Sequence, residues 1–119
     1  MNARRERRAD ERTRLSRTLA EAEGATPTYV GRLGGTELWM VGKILAGIPV
    51  LRDDYPADVK DAVDRRRRAT LSGRCDCGAR RQLVGHGLVF AHEPGCVAGD
   101  EQLDAVAARH GMAFARWSP

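Results

Sequence analysis

The apolar positions of this chain are unevenly spread, and their spacing divides it into stretches of different character. Residues 3–23 contain no Gly or Pro and are rich in Arg, Glu and Ala, with Gly24 as a natural stop, which predicts a helix. Its apolar stripe is thin. Leu15 and Leu19 stand four apart with Ala9, Ala20 and Ala22 nearby, and residues 3–14 offer nothing worth burying. Only the 15–22 end is expected to dock, the rest forming a charged arm. Residues 28–52 are the apolar heart. Two β-rich runs, 29–33 and 36–41, flank Gly34-Gly35, a pair that supplies the positive φ a tight hairpin turn needs. Thr36 could instead cap a helix through Ala46, with Gly47 as its stop and Pro49 beyond. Gly42 would weaken that helix and Trp39, Val41 and Tyr29 suit strands, so the hairpin is favoured. Residues 48–51 would add a short edge strand, kept at the edge by Pro49.

Pro56 opens a second helix over 56–71, with Val59, Ala62 and Val63 on one face and Leu71 further along. Asp58, Asp61 and Asp64 lie early and Arg65, Arg66, Arg67 and Arg68 late, the order the helix dipole favours. Four consecutive arginines wrap more than one turn, so at least two must point away from any core. After Ser72-Gly73, two short strands are expected at 79–84 and 88–91. Asp100 would cap a last helix, 101–110, with Leu103, Val106, Ala107 and His110 on one face and Gly111 as its stop. Phe114 and Trp117 are expected to pack back onto this small core. The class is therefore α+β: a charged N-terminal helix, a small antiparallel sheet, an Arg-rich helix and a hairpin-helix module. The corresponding units are 1–23, 24–72 and 73–119.

The chemistry is concentrated late in the chain. Cys75, Cys77 and Cys96 are its three cysteines, and with His92 they form Cys-x-Cys, a hairpin-sized spacer, then His-x-x-x-Cys. Two close pairs of soft or borderline ligands around a short spacer are how a chain surrounds one tetrahedral Zn²⁺. An odd cysteine count argues against a disulfide framework. The first residues hold no apolar stretch that would serve as a signal peptide, and no run approaches a membrane span, so a reducing cytoplasm is the expected location. A redox pair at Cys75 and Cys77 or an iron–sulfur ligand set are the competing readings. The order of turn, hairpin, second ligand pair and helix over residues 73–111 resembles a treble-clef zinc finger. It departs from the usual knuckle in having Cys-x-Cys where Cys-x-x-Cys is the rule. The resemblance implies one structural zinc on Cys75, Cys77, His92 and Cys96.

Catalysis is not expected at such a site, because four protein ligands leave no open position and three thiolates make a poor Lewis acid. His92-Glu93-Pro94 echoes part of the zinc-deaminase pattern, but the spacing fails and no Cys-x-x-Cys follows. A ββα nuclease is the remote alternative: it would need a histidine base and further metal ligands outside the quartet, His86 is the only histidine within the hairpin, and Asn2 is the chain's one asparagine.

Charge adds a second candidate surface. The chain carries eighteen arginines but two lysines, a bias that fits the GC-rich genome of a high-GC bacterium or one of its phages. Residues 57–81 hold eight basic groups against four acidic, and residues 1–23 seven against five. Arg65, Arg66, Arg67, Arg68, Arg74, Arg80 and Arg81 thus form the leading candidate patch for nucleic-acid backbone or an acidic partner surface, with Arg4, Arg5, Arg8 and Arg12 as a secondary arm. Charge compensation of the metal–thiolate centre by Arg74, Arg80 and Arg81 competes with that reading. No aromatic falls between Pro56 and Val89, so duplex DNA or structured RNA suits the patch better than single strands. The alternative is a protein-interaction adaptor docking on transcription or translation machinery, with Trp39 in its apolar contact surface. Neither a membrane nor a small-molecule substrate is expected.

Overall fold

A computed structural model describes residues 3–84 and 87–114. The order is α1 (Ala3–Glu23), β1 (Thr28–Leu33), β2 (Thr36–Val41), β3 (Ile44–Pro49), α2 (Ala57–Ser72), β4 (Arg81–Val84), β5 (Gly87–Phe90) and α3 (Asp100–Ala108). The class is α+β, as the patterning indicates. The first three strands form an antiparallel meander in the order β1-β2-β3, and β4 and β5 form a separate hairpin.

The segment 36–46 is strand and turn, not helix. Gly42 sits at φ 61° beside the β2–β3 connection, a conformation glycine adopts without Cβ strain, and Val41 pairs with Ile44 across it. Sequence reading places the third strand at 48–51; it runs Ile44–Pro49 instead. The difference is physical. Gly42-Lys43 makes a two-residue hairpin connection, so β3 begins directly after it and pairs with β2 along its whole length. Gly42 serves a second purpose. A Cβ there would meet the Ala22 backbone at 3.3 Å, so the bare glycine lets the end of α1 lie close to this turn.

Strand alternation gives the sheet two faces. Glu37, Trp39 and Val41 share one with Ile48, and Val41 and Ile48 are essentially inaccessible to solvent. This is the face that meets α2, whose Arg67 reaches Glu37 and the Pro49 carbonyl. The opposite face carries Leu38, Met40 and Leu45, with Leu33 on the adjoining strand; Leu33 is 64% exposed.

The second packing centre joins α2 to α3. Val59, Ala62 and Val63, the stripe expected from the sequence, meet Leu103 and Val106. Tyr55 and Phe114 pack against this cluster and touch edge-to-face at 5.8 Å. Trp117 lies outside the described residues, as does His86. The last helix starts one residue earlier than expected and has no side-chain cap, Gly99 standing at its N-cap. His110 lies beyond its end and its Nε2 stands 2.9 Å from Asp58 at the start of α2.

Candidate metal centre and arginine surface

Two tight turns present the four ligands. In the first, the Cys75 amide donates to the Ala79 carbonyl and the Gly78 amide to the Cys75 carbonyl, both at 2.9 Å. In the second, the Cys96 amide donates to the Glu93 carbonyl and the Gly99 amide to the Cys96 carbonyl. The β4–β5 hairpin brings the turns together and α3 follows the second.

Cys75 Sγ and Cys96 Sγ are 3.6 Å apart, Cys77 Sγ and His92 Nδ1 3.8 Å, and Cys96 Sγ and His92 Nδ1 3.7 Å. Bonds of about 2.3 Å to sulfur and 2.0–2.1 Å to nitrogen give a tetrahedron with edges of about 3.8 Å between sulfurs and about 3.6 Å from sulfur to nitrogen. The cluster has the size of such a site. All four ligand atoms lie within 4.8 Å of one another, and the cysteines are free of disulfides. The histidine faces the cluster with Nδ1.

The electrostatics suit a bound cation. Burial pushes the Cys75 thiol up to about 11, with the nearby Cys96 sulfur adding to the rise. A dication held at the centre would reverse that preference and make thiolate the stable form. Cys77 moves the other way, because the backbone amides of Glu93 and Ala79 hydrogen-bond its sulfur and favour the thiolate. Burial holds His92 below the ordinary histidine value, and the Arg66 charge adds to this, which favours the neutral imidazole that a metal would need.

The arginines have different fates. Arg66 donates to the Ala98 carbonyl at 3.0 Å and pairs with Asp100 at 2.7 Å, tying α2 to the segment behind Cys96. Arg67, 17% exposed, pairs with the equally shielded Glu37 and donates to the Pro49 carbonyl. Arg81 donates to the Thr70 and Leu71 carbonyls, capping the C-terminal end of α2. Burial lowers its pKa, partly offset by Glu23, and its Nη1 is buried with no hydrogen-bond acceptor among the described residues. The outward set is Arg65, Arg68, Arg74 and Arg80. Arg65 and Arg68 pair with Asp61 and Asp64 one helical turn earlier, and Arg74 stands 3.7 Å from Glu23.

Arg65, Arg68 and Arg74 rim a groove of about 710 Å³ between the end of α1, the second half of α2 and the ligand turns, floored by Ala69, Leu71 and Val97. Trp39 is half-buried on the inner sheet face, where it donates from Nε1 to Glu37 and meets Tyr29 edge-to-face at 5.5 Å. Arg4, Arg5, Arg8 and Arg12 are all exposed on α1. Nothing local in the sequence marks Glu37 or Asp100 as ion-pair partners. Their arginines lie far away along the chain, and no short spacing announces them.

Compared with protein-family models, curated proteins and solved structures, the chain matches none.

Proposed function

We propose that this is a small zinc-stabilised binding protein that contacts nucleic-acid backbone through arginines. The observation that carries the metal half is the Cys75–Cys77–His92–Cys96 cluster at tetrahedral spacing. Three thiolates and one imidazole favour Zn²⁺ among common metals, and four protein ligands close the site, which fits a structural role. The order of ligand turn, β4–β5 hairpin, ligand turn and α3 supports the treble-clef arrangement, as do the amides aimed at Cys77.

Support for the nucleic-acid half is the exposure of Arg65, Arg68, Arg74 and Arg80, the first three of which line one groove with Cys75 and Cys96. Guanidinium forks bond two phosphate oxygens at once and give sequence-independent, salt-sensitive binding. The test is binding to a labelled random-sequence DNA duplex and to a structured RNA hairpin across a salt series. Affinity falling steeply with salt supports the reading; no binding of either at low salt rejects it.

One observation favours a second reading, a protein adaptor. Tyr29, Val30, Leu33 and Leu45 are the large apolar residues left exposed on the three-stranded sheet. Under that reading Leu33→Asp with Leu45→Asp abolishes capture of a nuclease-resistant partner while leaving the fold intact, and unchanged capture removes it.

A further inference from the structure

The docking stripe of α1 does not end where the helix leaves the body. Its contacting positions are Ala22, Leu19 and Leu15, which are buried or half-buried, and the helix touches β3, β4 and β5. The same three-to-four spacing continues through Arg12, Arg8 and Arg4, so the line changes from apolar to cationic where the supporting surface stops. Residues 3–10 and 12–14 are exposed. Arg5 borders this line, and among residues 3–14 no acid falls within the arc of the helix that these four arginines occupy. Residues 3–17 hold seven arginines against three acids, a net excess of four positive charges.

We propose that the overhanging half of α1 is an arm that binds the phosphate backbone of a nucleic-acid duplex through Arg4, Arg5, Arg8 and Arg12. The inference rests on the nucleic-acid reading above and names the element that makes the main contact. Charge complementarity selects the occupant. A second copy of the chain would set arginine against arginine along the same stripe. A protein partner held tightly needs buried apolar or aromatic anchors, and residues 3–14 supply only Ala3 and Ala9. A polyanion needs neither. Successive arginines along the line rise about 6 Å, and a bare helix about 10–12 Å across fits a duplex major groove about 12 Å wide.

The test is a salt titration of binding to a labelled 20-base-pair random-sequence duplex, comparing the full chain with R4Q/R5Q/R8Q/R12Q and with R65Q/R68Q. Glutamine keeps helix propensity, and circular dichroism with zinc content checks that both variants fold. The arm variant is expected to flatten the log–log salt slope by about 3, near 0.9 for each phosphate no longer neutralised, while R65Q/R68Q changes it by less than about 1. Duplex binding by the unsubstituted chain with an unaltered slope in the arm variant overturns the arm and leaves the broader reading standing. No duplex binding by the unsubstituted chain overturns both. Polyglutamate binding more tightly than duplex at equal salt, and abolished in the arm variant, replaces the duplex by an acidic protein partner and overturns the proposal.

Discussion

At Arg67 one guanidinium serves two elements, pairing with Glu37 on β2 and donating to the carbonyl of Pro49 at the end of β3. Burial alone would raise the Glu37 pKa, but hydrogen bonds from Arg67 and Trp39 outweigh it and hold the carboxyl below the usual range. Both side chains are only 17% exposed, so removing one leaves the other charge in a poorly hydrated site. Arg67→Ala is expected to cost about 2–4 kcal/mol in denaturant unfolding, several times the effect of Arg68→Ala, whose partner is an exposed i,i+4 aspartate. The Glu37 contribution has a definite sign with pH. A depressed folded pKa means stability that is complete above the ordinary glutamate range and lost as pH falls through the folded value. Glu37→Gln should therefore flatten the acid side of the stability profile, measured by urea unfolding at a series of pH values. Gly73, like Gly42, is a position where the bare glycine matters. It holds φ at 77° after α2, and a Cβ there would collide with the Arg81 guanidinium that caps the helix. Gly73→Ala is expected to destabilise by about 1–3 kcal/mol, against about 0.5 kcal/mol or less for Arg80→Ala on the surface.

Among the elements, legibility follows the distance over which each is specified. The metal ligands fall between residues 75 and 96, so their chemistry is visible in a short window and the structure gathers the same four. Helix α2 is equally readable, because Val59, Ala62 and Val63 mark its buried face and Pro56 and Gly73 its ends. Strand β3 is hard to place from sequence because its boundary depends on a two-residue connection and on pairing with β2. The roles within the arginine run cannot be read locally. Arg66 and Arg67 are adjacent and chemically identical, yet one reaches 32 residues forward to Ala98 and the other 30 back to Glu37. Only the packing of α2 between the sheet and α3 separates them. That packing predicts where the core is most sensitive. Leu103 is 1% exposed among Val59, Ala62 and Val63, so Leu103→Ala should cost about 2–4 kcal/mol, whereas Val89→Ala on the exposed side of β5 should cost much less.

As a whole the chain is elongated, with extents of 57 × 29 × 23 Å and a radius of gyration of 16.1 Å. A compact domain of this length would have a radius near about 13.5 Å, and the helix α1, about 31 Å long, accounts for the excess. The body is small. Its largest fully buried side chains are Ile48, Leu103, Val41, Val59 and Val63, all aliphatic, so hydrophobic burial is thin for a chain of this size. The candidate metal centre is not an appendage to this core. Val97 follows Cys96 directly and packs against the α2–α3 cluster, and Arg66 anchors Ala98 and Asp100 from the other side. An ion held by these four residues would therefore be coupled to the packing of both helices, and its loss is expected to loosen α3 along with the hairpin.

The most direct measurement is metal content of the purified chain together with thermal unfolding before and after a strong chelator. One zinc per chain is expected, with a single unfolding transition and a large fall in its midpoint on chelation that added zinc restores. His92→Ala should bind zinc far more weakly and reproduce the chelated curve. A chain that purifies without metal, binds none when offered, and melts at the same temperature with and without chelator would contradict a fold built around a metal centre.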